Sequence, residues 1–543
     1  MPKIFISIQM NNKIKIILLL TISLLSCWRL FRPGYPSMQD DIQIFRLEQF
    51  DQCLRDGQIP CRYIADGGLG YGYPLYNFYS PLPYVAAEAS HLLGFSYIDS
   101  IKISFIIPAI LRTFGMYLLA TIFFGNLGGF LASTLYTFAP YQAINTFVRG
   151  AIGETWALSL LPLIFWSLYK KKTKLSVLFL CFLFLSHNLT LIYALPLIAL
   201  FTVLTKKFKY FFRTLLWSIA LCSFFLIPAF FEKNLTTVDT MTQGFFNYII
   251  HFVTLKELFI SNFWGYSGTM WGPIDGLSFN LGIVVWLTSF FVFMMYLIRT
   301  KIKHRLLIII MFLIGVFALF LTHNKSTFIW QLLPFMAYFQ FPWRFLGLAI
   351  FCFSFISGGL VNLFKANLRL PLILGLIVIT IGINYSYFKE DIWYQKLTDS
   401  DKLNGAEQIR QSAAGLMDYW PKYGSEFPKT YAPSAPIVLK GNVDFVKYYK
   451  NSHFSEAYFS VSTPNALVNL PIVYFPNWNL IMDGKKSDYK IDEQFGLIQL
   501  QLSQGQHHYE LSFKNTPLRT FANLFSLLTL GSFIILIIRE KHN

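Results

Sequence analysis

The chain is punctuated by apolar runs of about twenty residues, the length a helix needs to cross the hydrocarbon core of a bilayer. Runs near 14–31, 101–123, 128–147, 152–169, 214–231, 280–298, 306–322, 344–363, 370–388 and 518–538 qualify. A longer stretch, 175–204, is interrupted by Ser186, His187, Asn188 and Thr190 and reads as two half-spans meeting at a polar tip. The expectation is a mainly α, polytopic transmembrane bundle of about twelve membrane segments with both termini on one side. Composition agrees, because only 13% of residues are charged, against about 25% in soluble chains.

A net charge of +17 would raise the question of nucleic acid in a soluble protein. Here the cations fall in alternate connections: Lys3, Lys13 and Lys15, then 170–174, 206–213 and 299–305, then Lys365 with Arg369, and Arg539 with Lys541. These segments hold 19 basic residues against one acid, Glu540. Such clusters mark cytoplasmic loops, so both termini are expected in the cytoplasm and no nucleic-acid partner is implied. Leu24-Leu25-Ser26-Cys27 matches a lipoprotein processing pattern, but the apolar run continues to Phe31, and the first span is expected to be retained.

The expected organisation is a polytopic domain over 1–388 with outer loops 32–100 and 232–279, an extracytoplasmic soluble domain over 389–515, and a last transmembrane helix with a short cytoplasmic tail over 516–543. Segments 437–439, 458–461, 472–475, 496–502 and 508–513 alternate or run apolar between turn signals such as Asp483-Gly484 and Gln504-Gly505. They predict a small β-sandwich.

Polar residues at membrane depth are functional candidates, and this topology gathers many at the outer face. Asp40 and Asp41 follow the first span, Arg149 and Glu154 bracket a turn, His187 and Asn188 form the polar tip, and Gln340 and Arg344 precede a later span. Trp264, Trp271 and Asp275 fall in the second outer loop. Each has a plainer reading. An Asp before the amphipathic stretch 42–55 can cap a helix, whereas a second carboxylate suits a general base or a cation ligand. Arg149 and Glu154 can pair with each other. Arg344 is either an interfacial anchor or a phosphate ligand.

Segment 66–81 combines glycines with Tyr71, Tyr73, Tyr76, Asn77 and Tyr79. It reads either as an interfacial loop or as a stacking wall for a sugar or isoprenoid. Cys53 and Cys61, both placed outside, can form a disulfide. There is no zinc-ligand spacing, P-loop, dinucleotide fingerprint or GxSxG elbow. No cofactor is identified, and a divalent cation stays open.

Asp40-Asp41, Gly57-Gln58-Ile59-Pro60, the 70–81 segment, Arg149-Gly150 with Glu154, His187-Asn188, 340–344, Asp418-Tyr419-Trp420-Pro421-Lys422 and Tyr474-Phe475-Pro476-Asn477-Trp478 stand in an order that resembles the bacterial membrane proteins labelled 6-pyruvoyl-tetrahydropterin synthase-related. The resemblance covers nearly the full length. Pterin chemistry does not follow from the label, because the histidine cluster of the soluble synthase is missing. The architecture looks instead like the GT-C class of integral-membrane glycosyltransferases. By that resemblance Asp40 or Asp41 deprotonates an acceptor hydroxyl, and Arg149 and Arg344 hold the phosphate of a polyprenyl-linked sugar donor. The acceptor would be a glycan, lipid or protein outside the bacterial cytoplasmic (inner) membrane. The family tends to have Pro or Arg around position 61, so the cysteine pair is a local departure. The alternatives are a lipid-linked glycan flippase, which would be expected to show related halves, and a non-catalytic scaffold with a glycan-binding outer domain.

Overall fold

The computed structural model describes residues 11–270, 275–415 and 418–542. Among them six helices are long and apolar enough to cross a membrane: Tyr97–Thr137, Ile152–Tyr169, Arg305–Thr322, Pro342–Leu363, Ala366–Tyr387 and Pro517–Arg539. A pair bent by 75°, Phe208–Leu221 with Ser223–Leu235, adds a seventh if taken as one span. Thr173–Phe184, Asn188–Leu204 and Ile283–Ile298 are shorter apolar helices.

About twelve passages are therefore not supported. Hydropathy counts apolar residues, but it does not register where a helix breaks. The run at 14–31 is α-helical only over Asn12–Leu25 and ends in a tight turn at Trp28–Phe31. The run at 128–147 breaks before Pro140, into the short helix Pro140–Ala143 and the π-turn Ile144–Val148. Tyr97–Thr137, by contrast, is two antiparallel arms folded at Gly125 (φ 74°), in line with the separate runs at 101–123 and 128–147. Ser133 Oγ donates to the Thr113 carbonyl at 2.7 Å, and the rings of Tyr117 and Phe130 lie 4.8 Å apart.

Ile152–Tyr169 and Pro342–Leu363 form the centre of the bundle, each with 89% of its apolar window buried in protein, against 11% for Ala366–Tyr387 and 22% for Pro517–Arg539. Where the bent pair opens its backbone, partners take up the freed groups, as an apolar setting demands. Ser526 Oγ accepts from Phe224 N at 2.8 Å, and Arg62 Nη2 donates to Phe224 O at 2.9 Å.

The basic connections share one end of the bundle. The Phe123 ring packs on Tyr169 and on His304, each at 5.0 Å; Lys207 Nζ lies 6.0 Å from the Tyr169 ring, and Arg299 donates to Leu363 O at 3.3 Å. From Glu154 to Lys170 the central helix rises about 24 Å at 1.5 Å per residue, so the Arg149–Glu154 turn lies at the opposite end.

The C-terminal region carries one seven-stranded antiparallel sheet, in place of the two packed sheets of the expected sandwich. Two strands dominate it, Phe454–Val473 and Leu497–Phe513. The predicted pieces 458–461 and 472–473 belong to the first, and 497–502 with 508–513 to the second. Gln504-Gly505, expected to turn, runs on in strand, with Gly505 facing Val461 and Gln506 facing Ser460. Cross-strand pairing there outweighs the local turn preference. The Asp483-Gly484 turn does form, both residues at positive φ, joining Trp478–Met482 to Lys485–Ser487, as a two-residue hairpin requires.

Loop 32–100 and the C-terminal region are interlocked. Tyr35–Pro36 pairs with Trp393–Tyr394, Ala432 N donates to Leu69 O at 2.8 Å, and Val473 N donates to Tyr71 O at 3.0 Å. Cys53 and Cys61 are joined by a disulfide.

Candidate functional site

A cavity of about 590 Å³ opens where the bundle meets loop 32–100 and the 405–419 segment. Asp40, Asp41, Tyr79, Arg149, Glu154, His187, Asn188, Gln340 and Arg344 all line it. Nine of the sequence candidates, drawn from five stretches of chain, thus converge.

Two glycines allow the convergence. Gly150 sits at φ +68°, and a Cβ there would come 2.4 Å from Met38 Sδ. Met38 and its neighbours therefore lie flat on the turn: Gln39 N donates to Val148 O at 2.9 Å, Asp40 N to Arg149 O at 2.8 Å, and Gln43 Nε2 to Gly150 O at 3.0 Å. At Gly153 a Cβ would stand 2.6 Å from Ser186 O, and this close approach brings the His187 turn against the start of the central helix.

Glu154 lies in the first turn of Ile152–Tyr169, where the helix dipole favours an anion. It accepts from Arg149 Nη1 at 2.8 Å and from Tyr141 OH at 2.5 Å, and Arg344 Nε lies 4.0 Å away. Arg149 Nη1 also donates to Asn145 Oδ1 at 2.6 Å, and its guanidinium covers the Trp343 ring at 4.5 Å. Arg344 Nη1 donates to Phe339 O at 2.8 Å and Gln340 Oε1 at 3.2 Å, while its buried Nε has no hydrogen-bond partner among the described residues. Gln340, at φ +62°, donates to Met241 O at 2.9 Å. His187 Nδ1 accepts from Thr190 N at 3.2 Å, capping Asn188–Leu204. A nitrogen that accepts carries no proton, so the imidazole is neutral. Asn188 Oδ1 accepts from Ser80 Oγ at 3.1 Å. Two arginines thus share one carboxylate, leaving an excess positive charge at the cavity floor.

The two aspartates part company. Neither caps the following helix, Gln43–Arg55, whose N-cap is Ile42 with no side-chain bond. Asp41 Oδ2 is bridged by Lys402 Nζ at 2.6 Å and Arg410 Nη2 at 3.1 Å, both also held by Glu407. Burial nevertheless raises the Asp41 carboxyl above its ordinary range. Asp40 is exposed at the cavity and enters no side-chain hydrogen bond or ion pair among the described residues.

The aromatic segment divides too. Only Tyr79, with Phe78 and Ser80, reaches the cavity. Tyr71 and Tyr73 are buried, Tyr71 O accepting from Tyr63 OH at 3.2 Å and Tyr73 pairing its backbone with Ile64. Tyr76 OH donates to Arg46 O at 2.6 Å. Asn77 joins a separate buried network, accepting from Arg62 Nη1 at 2.9 Å and donating to Glu232 Oε2 at 2.8 Å. Packing within loop 32–100, where Tyr76 lies between Phe50 and Tyr84, together with the Tyr71 contact to Val473 of the sheet, turns most of the expected stacking wall into core. Trp264 stacks on Tyr387 at 4.7 Å, and Asp275 accepts from Met270 N at 2.8 Å; neither lines the cavity. Trp271 lies outside the described residues.

Three charged lining residues, Arg46, Arg410 and Asp418, were not singled out as site candidates. Arg46 lies over the Tyr79 ring at 4.2 Å, and its buried Nε has no hydrogen-bond partner among the described residues. Asp418 faces it, and burial raises its carboxyl to about 6, against the lowering pull of Arg46. The available signal was Arg46 on the polar side of an amphipathic helix and Asp418 heading its aromatic motif. No group of three or more metal-ligating side chains occurs among the described residues.

No family model matches the chain. It is 28% identical over 239 residues to a protein of Lactococcus lactis subsp. cremoris (strain MG1363) described as "Uncharacterized protein", covering 39% of this chain and 38% of the relative. The match thus spans about two fifths of either chain.

Proposed function

We propose that the chain is a GT-C-type glycosyltransferase that moves a sugar from a polyprenyl-phosphate-linked donor to an acceptor outside the cytoplasmic membrane. The observation that carries this reading is one cavity lined both by Asp40, a carboxylate without a side-chain partner among the described residues, and by two arginines that share a single carboxylate, Glu154. In this reading the cavity end and the sheet domain lie on the extracytoplasmic side of the membrane, and the basic end, with both termini, in the cytoplasm. In the transfer the acceptor oxygen bonds to the anomeric carbon as the bond from that carbon to the phosphate oxygen breaks. The hydroxyl proton passes to Asp40, and the charge on the leaving polyprenyl phosphate is met by Arg149 and Arg344, whose forked donors suit a phosphate. Asp41, tied to Lys402 and Arg410, holds the cavity rim.

The test supplies reconstituted membranes with labelled polyprenyl-phosphate sugars and compares wild type with Asp40→Asn and Asp41→Asn. Transfer is expected to collapse in the first and to persist in the second. Undiminished transfer without both carboxylates sinks the mechanism.

A further inference from the structure

At the end opposite the Asp40 cavity lies a second recess, of about 460 Å³, lined by Lys171, Thr173, Lys209, Tyr210 and Arg213. The helices Thr173–Phe184 and Phe208–Leu221 both begin here, and neither N-terminus has a side-chain cap. An uncapped helix start presents amide hydrogens and the positive end of the dipole. The three cations enter no salt bridge among the described residues, whose ion pairs all lie elsewhere.

Arg213 also heads a neighbouring groove of about 440 Å³ between Phe208–Leu221 and Pro517–His542. Leu216, Trp217 and Ala220 follow Arg213 at spacings that keep one helix face, and Phe525 and Leu528 form the facing wall. Polarity therefore changes along a single path, from three cations without a salt bridge among the described residues, Arg213 resting 5.7 Å from the Tyr210 ring, and two helix starts, to a mainly apolar trough. The trough's Thr529 and Ser532 hydroxyls bond back to their own helix, one apolar enough to span a bilayer. An anionic head joined to a hydrocarbon chain matches that order, and a free anion would leave the trough unused.

We infer that this recess and groove bind one anionic glycerophospholipid, its phosphate among Lys171, Lys209 and Arg213 and an acyl chain along Leu216, Ala220 and Leu528. The site is separate from the proposed transfer cavity and does not depend on that reading. Basic side chains at a membrane surface contribute about 1 kcal/mol each toward anionic lipid, so removing three is expected to weaken retention by about 100-fold.

The full chain in detergent is titrated with phosphatidylglycerol or phosphatidylcholine, and bound lipid is read by native mass spectrometry. Wild type is expected to retain phosphatidylglycerol preferentially. The Lys171→Ala/Lys209→Ala/Arg213→Ala variant is expected to lose that preference, and Ala220→Trp to weaken binding by obstructing the trough while keeping every cation. A control, Arg299→Ala/Lys301→Ala/Lys303→Ala, removes the same charge at the same end and is expected to bind as wild type does. Equal loss in the control means diffuse attraction and overturns the site. So does unchanged retention in both recess variants, or equal affinity for the two lipids. Competition by glycerol phosphate at concentrations comparable to the lipid would show that the trough contributes nothing, and would overturn the inference as well.

Discussion

The two ends of the bundle handle charge in opposite ways. At the cavity end Arg149, Glu154 and Arg344 are buried and depend on one another, with Glu154 1% exposed. At the basic end Lys171, Lys209 and Arg213 are exposed and enter no salt bridge among the described residues. Buried ions must be matched locally because desolvation leaves no other compensation, whereas exposed ions are hydrated and screened. Charges of the first kind shape a site, and charges of the second kind set orientation and attract a surface.

The hardest test of that contrast is Glu154→Gln, which strands two buried guanidinium groups. It should cost about 3–5 kcal/mol of stability by thermal unfolding in detergent, while Lys171→Ala should stay within about 0.5 kcal/mol. Similar losses at both ends would break the distinction.

Within the cavity end, Asp40 and Asp41 repeat the contrast on adjacent residues. Asp40→Asn should lower kcat about 10²–10⁴-fold with unfolding unchanged. Asp41→Asn should leave kcat within about 10-fold and cost up to about 1 kcal/mol, as expected of a part-exposed ion pair. The reverse ranking would move the base to Asp41.

A smaller effect should appear in the pH profile. Asp418, raised to about 6 by burial, is protonated below that pH and ionised above it, so transfer that needs its charge rises with pH through a limb near 6. Arg46 favours the ionised form. Arg46→Gln should therefore move the limb to higher pH, and Asp418→Asn should abolish it; a limb unmoved by either belongs to another group. The smallest effect is ionic: salt from about 0.05 to 0.5 M should weaken lipid retention at the basic end and leave unfolding of the Glu154 cluster unchanged.

Much of this was legible in the residue pattern. The turn at Asp483-Gly484, the polar tip at His187 and the reversal near Gly125 each rest on local chemistry: positive φ, a cap, a helix break. Gln504-Gly505 was misjudged because a strand of 17 residues is held by its partners, and a local turn preference is weak beside that pairing. Tyr71, Tyr73 and Tyr76 were legible as aromatic mass, but their direction was not: Tyr71 meets the strand at Val473, some 400 residues later, while Tyr76 is buried between Phe50 and Tyr84 of its own loop.

The sequence by itself determined the apolar helices, the segregation of cations into alternate connections and the identity of the polar groups, because these follow from composition and periodicity along the chain. Only the tertiary structure decided which groups meet. The glycine contacts at positions 150 and 153 bring Asp40 and His187 to the Arg149–Glu154 turn, the helices Asp399–Leu403 and Gly405–Ala413 tie Asp41 to Lys402 and Arg410, and Asp418 meets Arg46 at the same cavity. The physical reason is range. Backbone preference and hydropathy act over a few residues, whereas a carboxylate is paired or free according to what the fold places within a few ångströms of it.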